Sequence, residues 1–223
     1  MLIQEARWLG QAMAEAGDAI YPMLNVGSNT WEFRTRHQPW IDRYLFAPAR
    51  QRGQVVKHLD LQADHGVDLV GDLTDPAFLR QLAAMEFRSV LCSNLLEHVP
   101  NREELAATLV GIVPVGGYLF VSCPYRFPYH PDPIDTMFRP GVEELAALFP
   151  GTSVERQAIV DGGRMATLLL RDIARRPMAF AGAVIRRLVR RSAEDRQVIT
   201  RGASFLPWFF RRVQATCVVL RKR

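Results

Sequence analysis

The chain has 223 residues, of which 48% are apolar, and its formal net charge is +5. Such a chain is long enough for one sizeable hydrophobic core with room for an appendage. No apolar run reaches the roughly 18 residues of a membrane-spanning helix, which excludes a transmembrane segment. The charged, helix-patterned N-terminus does not have the pattern expected of a secretory signal peptide.

The three cysteines, Cys92, Cys123 and Cys217, each lie inside an apolar run and show no CxxC spacing. This pattern predicts buried free thiols in a reducing cytoplasm rather than disulfides or metal ligands. The charge is unevenly distributed. Residues 164–223 carry 15 Arg and Lys against 3 acidic residues, a net of +12, whereas residues 1–163 have a net charge of −7. The basic character therefore belongs to the C-terminal part.

Hydrophobic periodicity predicts helices and strands that alternate along the chain. The first half contains a helix at about 3–16, a strand at 21–27, a loop with one helix near 40–46, strands at 54–61 and 67–70, and a helix at about 76–85. The second half contains strands at 90–92 and 118–123 around a helix at 103–112, a helix at 142–149, a strand at 153–160, a basic helix at 171–193 and a closing strand at 215–220. This alternation predicts one doubly wound, Rossmann-like α/β domain.

The most informative segment is residues 89–124, SVLCSNLLEHVPNREELAATLVGIVPVGGYLFVSCP. An apolar strand ends at Ser93-Asn94, and Leu96-Glu97-His98 follows. The turn Pro114-Val115-Gly116-Gly117 then leads into a second apolar strand. Strands that are apolar throughout are typical of parallel sheets covered on both faces, where ligands bind just beyond the carboxyl ends of the strands. We therefore expect Ser93 to His98 to lie at a functional site.

This segment resembles the fourth and fifth strands of class I S-adenosylmethionine-dependent methyltransferases, in which "LEH" and "Pro-x-Gly-Gly" recur in these places. The resemblance covers about residues 20–160 and the closing strand at 215–220. It implies a seven-stranded sheet whose last strand is antiparallel, with a basic helical insertion at about 164–212. It also implies S-adenosyl-L-methionine as the cofactor.

The first predicted strand leads into Asn25-Val26-Gly27-Ser28, where the family has an acid followed by Gly-x-Gly-x-Gly. Only Gly27 matches the glycines, Asn25 replaces the acid, and Asn29 and Trp31 replace the later glycines. Asn29 can still adopt a left-handed conformation, because asparagine tolerates it. The resemblance assigns Asn25, Gly27 and Ser28 to the cofactor, and an ordinary strand-to-helix turn is the alternative.

The next strands also end in polar residues. By resemblance, Asp60 accepts hydrogen bonds from the ribose hydroxyls with Leu61 beside it, and a solvated strand-end aspartate is the alternative. By resemblance too, Asp72 and Leu73 contact the adenine, and capping of the next helix is the alternative role for Asp72. Ser93 and Asn94 complete this row of cofactor-binding residues along one edge of the sheet.

His98 is the predicted general base, because the loop after the fourth strand faces the methyl-donating end of the cleft and histidine titrates near neutrality. Glu97 is predicted to orient His98 or to bind the amino group of the methionine moiety, and a helix-start carboxylate is the alternative. His130 and Asp135 lie in a proline-rich loop predicted to form a lid or acceptor wall. His98, His130, Asp132 and Asp135 could in principle ligate a metal, but their spacing matches no defined metal site, so none is predicted.

The basic region at 171–212 interleaves arginine pairs with apolar and aromatic residues. Contact with an anionic membrane surface, contact with nucleic acid, and a core-packing insertion with a basic outer face all remain open.

The predicted function is methyl transfer from S-adenosylmethionine to an oxygen or nitrogen atom of a small molecule or glycan precursor. The eroded glycine turn favours one alternative, a methyltransferase-like binding or scaffolding module without catalysis. A nicotinamide-dependent dehydrogenase is disfavoured, because GxGxxG is absent from the first turn.

Overall fold

A computed structural model of the chain describes residues 1–130, 134–175 and 208–223. Its strands are β1 (Met23–Val26), β2 (Val56–Asp60), β3 (Leu69–Val70), β4 (Ser89–Ser93), β5 (Tyr118–Arg126), β6 (Thr152–Arg164) and β7 (Arg212–Lys222). They form one seven-stranded sheet in the order β3-β2-β1-β4-β5-β7-β6. Strands β1 to β5 run parallel, and β7 lies antiparallel between β5 and β6. The predicted doubly wound class with an antiparallel last strand is confirmed.

The helices are α1 (Ile3–Ala16), α2 (Pro39–Ile41), α3 (Ala47–Gln51), α4 (Pro76–Ala83), α5 (Arg102–Ile112), α6 (Val142–Ala147) and α7 (Met165–Arg175). Two π-helical turns, Phe33–His37 and Asp42–Phe46, flank α2. The region after β1 is therefore more helical than predicted, because Ile41, Leu45 and Phe46 pack into the core beside α1. Asp75 caps α4, since its side chain accepts a hydrogen bond from the Ala77 N–H at 2.8 Å.

The core lies on both faces of the sheet, which explains the continuous apolar runs of its strands. In β4, Val90 and Cys92 pack on the face that is covered by α4, α5 and α6. Leu91 points to the opposite face, which α1 and the helical region after β1 cover. All three cysteines are free and buried, as predicted.

The last two strands are longer than predicted, because β6 and β7 pair with each other along their whole length. Arg164 at the end of β6 is paired with Arg212 at the start of β7. The intervening segment therefore leaves and re-enters the sheet at the same place. Its first part is α7, which starts before the basic helix predicted at 171–193; residues 176–193 of that prediction lie outside the described residues. Among the described helices, none combines the length and apolarity needed to cross a membrane.

Candidate functional site: two adjoining cavities at the strand ends

Two cavities adjoin at the carboxyl ends of the parallel strands, where ligands bind in sheets of this kind. The smaller has a volume of about 360 Å³ and extends from β2 and β3 to α5. The larger, about 910 Å³, extends from β1 and β4 towards α1, α7 and the loop after β5. The residues shared by the two walls are Gly27, Asp60, Leu61, Leu95 and Val99.

The turn after β1 separates the two cavities. Gly27 has a φ of +66°, and a Cβ atom there would lie 3.1 Å from Leu95 Cδ1, so both conformation and space favour glycine. Asn29 adopts the left-handed conformation predicted for it, with a φ of 56°. Trp31 does not line either cavity in the described part of the chain; its ring lies beside Arg50 and His65. The indole therefore does not block the turn.

Asp60 fixes this turn. Its Oδ2 accepts a hydrogen bond from the Asn29 N–H at 2.8 Å, and its Oδ1 accepts one from the Leu61 N–H at 2.9 Å. Each carboxylate oxygen has a second lone pair, so both can still accept hydrogen bonds from a ligand. The half-buried Asp60 carboxylate thus holds the turn and lines both cavities.

Arg34 holds the same turn through hydrogen bonds to its backbone. The sequence did not predict this role. Its side chain is only 2% exposed. The guanidinium donates to the carbonyl oxygens of Ser28 at 2.9 Å, Asn29 at 2.5 Å and Gly66 at 2.7 Å. It thereby joins the turn after β1 to the loop between β2 and β3. No local sequence signal marks this residue, because its partners are distant backbone carbonyls.

Asp72 and Leu73 line the smaller cavity at the end of β3. Asp72 Oδ1 accepts a hydrogen bond from the Thr74 N–H at 2.8 Å, and this bond lowers the pKa of the exposed carboxyl group. The alternative role of Asp72 as a helix cap is wrong, because Asp75 occupies that position. Asp60 and Asp72 thus meet at one cavity wall, as expected for adjacent parallel strands.

Asn25 and Ser28 line the larger cavity and are nearly fully buried. The Asn25 side-chain amide donates to His58 Nδ1 at 3.0 Å, so the lone pair on that nitrogen is used. Burial lowers the pKa of His58 to about 4, which keeps its ring neutral and able to accept this bond.

Ser93 and Asn94 also line the larger cavity, and Asn94 is held by Glu5 of α1. Asn94 Nδ2 and Ser122 Oγ each donate to Glu5 Oε1 at 2.7 Å, and the Leu2 N–H donates to Oε2 at 2.8 Å. The Glu5 side chain is 1% exposed. Sequence reasoning missed Glu5, although its place on the apolar stripe of α1 was an available signal.

Glu97 and His98 lie in a 3₁₀ turn, Leu96–His98, between β4 and α5. His98 lines the larger cavity, and its role as a general base stays a prediction. Glu97 is fully buried beside it and does not line either cavity in the described chain. Of its predicted roles, orientation of His98 fits this position better than contact with the methionine amino group. The helix-start alternative is wrong for α5, which begins only at Arg102.

The loop after β5 folds back onto this turn and brings His130 to the larger cavity. Asp135 is buried and holds the loop. Its Oδ2 accepts from the His130 N–H at 3.0 Å and pairs with Arg139 Nη2 at 2.6 Å. Burial raises the pKa of the Asp135 carboxyl group, but these bonds outweigh burial and the pKa is lowered. Asp135, predicted as catalytic, has the contacts of a positioning residue. Asp132 lies outside the described residues.

Comparison with known proteins shows the fold. No family model and no curated protein matches the sequence. Among solved structures, coclaurine N-methyltransferase bound to N-methylheliamine and SAH superposes with a TM-score of 0.57 at 17% identity over 90% of this chain. The chain spans 65% of that protein, less than two thirds of its length.

Two further structures give similar results. A putative sarcosine dimethylglycine methyltransferase from Galdieria sulphuraria has a TM-score of 0.55 at 12% identity, over 97% of this chain and 84% of that one. The [4+2]-cyclase SpnF has a TM-score of 0.54 at 14% identity, over 90% and 74%. The fold is thus that of known methyltransferases, and one cyclase also has it, so the reaction must be argued from the site.

Proposed function

We propose that the protein transfers a methyl group from S-adenosyl-L-methionine to an oxygen or nitrogen atom of a small molecule or glycan precursor. The observation that carries this proposal is the nucleoside-sized smaller cavity, bounded by Asp60 and Asp72 and joined at Gly27 to a larger one. One cavity suits a nucleoside and the other an acceptor. The geometry of these walls fits the residues that the resemblance assigned.

The ribose hydroxyls would donate hydrogen bonds to the remaining lone pairs of Asp60, since charge-assisted hydrogen bonds are the stronger kind. Asp72 and Leu73 would contact the adenine in the smaller cavity. Asn25, Ser28, Ser93 and Asn94 line the larger cavity next to the turn, where the methionine moiety would lie. S-adenosylmethionine supplies a methyl group on a sulfonium sulfur, which is open to in-line displacement.

The acceptor would bind in the larger cavity, whose wall contains Phe33, Trp40 and Phe127 as well as His98 and His130. An apolar, aromatic wall with a few polar groups is typical of sites for small molecules. Proximity and orientation of the two reactants are the main requirements of this displacement. An acceptor with a proton to lose also needs a base or another activating group on the same wall.

Calorimetric titration of cofactor-stripped protein with S-adenosylmethionine tests the proposal. We expect saturable binding that Asp60→Ala weakens about 10- to 100-fold, because charge-assisted hydrogen bonds contribute about 1.5–3 kcal/mol. Glu155→Ala removes an exposed carboxylate on β6 and serves as the matched control. Absence of binding by the folded wild-type protein would overturn the proposal. Equal affinities of Asp60→Ala and wild type would contradict the assignment of Asp60.

We also propose peripheral contact with an anionic membrane through the basic region at 171–212. At its described ends, Leu170 is 61% and Phe210 78% exposed, next to the exposed Arg171 and Arg211. Apolar side chains beside arginines suit an anionic interface. Cosedimentation with phosphatidylserine vesicles should exceed that with phosphatidylcholine vesicles and fall in Phe210→Ser. Val115→Ser, at an exposed valine elsewhere, is the control; equal sedimentation with both lipids would contradict the contact.

A further inference from the structure

Three side chains that can ligate a metal meet at the edge of the larger cavity. Glu97, His98 and His130 each offer one ligand atom, and these atoms all lie within 4.8 Å of one another. His98 Nε2 is 3.7 Å from Glu97 Oε1. Two ligands of one tetrahedral ion are about 3.4 Å apart for bonds near 2.1 Å. The cluster is thus close to the size of a coordination sphere.

In both imidazole rings, Nδ1 faces a hydrogen-bond acceptor, which leaves Nε2 for a ligand. His98 Nδ1 faces the Ile134 carbonyl oxygen, which only accepts, so this nitrogen carries the proton. His130 Nδ1 faces the Pro128 carbonyl oxygen at 3.2 Å and Asp135 Oδ2 at 3.1 Å, which are acceptors as well. The Nε2 lone pair of each ring is therefore available. A histidine whose other nitrogen donates to a carboxylate or carbonyl is the usual arrangement around bound metals.

The Glu97 carboxylate lacks a partner within the described residues. It is fully buried, and neither Oε1 nor Oε2 has a hydrogen-bond donor. A buried carboxylate without a partner is costly, and each such group in a folded protein requires an explanation. A bound cation would satisfy the carboxylate and use both imidazoles.

We propose that Glu97, His98 and His130 bind one divalent first-row transition metal ion through one carboxylate oxygen and two Nε2 atoms. Two imidazoles with one carboxylate suit Zn²⁺ or Co²⁺, whereas Mg²⁺ and Ca²⁺ prefer oxygen ligands alone. His98 and His130 line the larger cavity, so the open coordination positions face it. Asp135 orients His130 from behind. These ligands differ from the four residues that were named from the sequence. Glu97 joins the two histidines, and Asp135 supports one of them.

Metal binding itself does not depend on the proposed methyl transfer, but the use of the metal does. An acceptor hydroxyl bound to the ion would have a lowered pKa and would release its proton to solvent. The resulting oxygen would then attack the methyl carbon while the carbon–sulfur bond breaks and its electron pair returns to sulfur. On this basis the acceptor class is a hydroxyl-bearing small molecule rather than an amine.

Metal binding is tested on EDTA-treated, desalted protein by calorimetry with Zn²⁺, Co²⁺ and Mg²⁺ separately. We expect one equivalent of Zn²⁺ or Co²⁺ per chain, an increase in Tm with Zn²⁺, and no saturable Mg²⁺ binding. Glu97→Gln and His130→Ala should each weaken Zn²⁺ binding at least about tenfold, and Asp135→Asn about 10- to 100-fold. His65→Ala removes an exposed histidine that is also paired with a carboxylate, that of Glu32, and should leave Zn²⁺ binding unchanged.

The absence of saturable Zn²⁺ and Co²⁺ binding by the folded wild type would overturn the metal site. Equal Zn²⁺ affinity in wild type and in Glu97→Gln, or equal affinities for Mg²⁺ and Zn²⁺, would overturn it as well. Circular dichroism establishes that each variant is folded, and His98→Asn replaces any variant that is not. Titration with S-adenosylmethionine is run separately. Zn²⁺ binding without cofactor binding would refute the proposed function alone, and cofactor binding without Zn²⁺ binding would refute the metal site alone.

Discussion

The two carboxylate-bearing edges of the cavities differ in what they need from a ligand. At the smaller cavity, Asp60 is half-buried and Asp72 is exposed, and backbone N–H groups donate to both carboxylates. Behind His98, which lines the larger cavity, Glu97 is fully buried and has no such bond among the described residues. The first edge is complete without a ligand, whereas the second contains an unsatisfied charge-bearing group. The site therefore combines carboxylates that backbone N–H groups already hold in place with a buried carboxylate that has no donor among the described residues.

The largest expected effect is a loss of stability on replacing Arg34, which holds the turn that contacts Asp60. Arg34→Leu should lower the free energy of unfolding by about 3–5 kcal/mol, because three carbonyl groups lose a charged donor. Denaturant unfolding measures this loss. Arg36→Leu, an exposed arginine in the same π-helical turn, should change stability little. Similar losses in both variants would mean that the carbonyl contacts of Arg34 do not support the edge.

A second effect depends on pH and on His58, which accepts a bond from Asn25. The folded-state pKa is about 4 and the ordinary value 6.5, so the unfolded chain binds this proton more tightly. The stabilisation is therefore complete above about pH 6.5 and is lost as the pH falls to about 4, amounting to roughly 3 kcal/mol. Urea unfolding across this range should show a steeper loss for wild type than for His58→Gln. Parallel curves would contradict the assignment.

A smaller effect, a gain in stability, is expected on replacing Glu97. In EDTA, Glu97→Met should raise the free energy of unfolding by about 1–2 kcal/mol, because an apolar side chain of similar length replaces an unpaired buried carboxylate. The same variant should gain no Tm on addition of Zn²⁺. Thermal and urea unfolding in EDTA measure both properties. A clear loss of stability would show that Glu97 already has a partner in the metal-free protein.

The smallest effect distinguishes the two carboxylates of the smaller cavity, Asp60 and Asp72. Asp72→Asn should weaken S-adenosylmethionine binding about fivefold, because one oxygen still accepts a hydrogen bond and only about 1 kcal/mol is lost. This loss should be smaller than that of Asp60→Ala, whose carboxylate borders both cavities. Calorimetry of the two variants under one buffer condition provides the comparison. The reverse order would exchange their proposed roles.

The fold and one cavity wall could be predicted because they depend on local patterns. Alternating periodicity predicted the sheet, and Asp60 and Asp72 meet because parallel strands end at one edge. Glu5 and Ser122 are 117 residues apart, so their contact leaves no local trace. Arg34 donates to backbone carbonyl groups, which every residue has, so no sequence pattern marks its role. For Glu97, the motif marked the residue, but only packing determines that its carboxylate is buried without a partner.

Because Arg164 at the end of β6 pairs with Arg212 at the start of β7, the segment between them begins and ends at neighbouring positions of the sheet. A short turn can join two antiparallel strands at such neighbouring positions, so the segment can be replaced without changing the order of the strands. Its described part contributes Met165, Leu168 and Arg171 to the wall of the larger cavity and no residue to the smaller one. Grafting a different segment there would change the wall of the larger cavity, the proposed acceptor site, and would leave the lining of the smaller cavity unchanged.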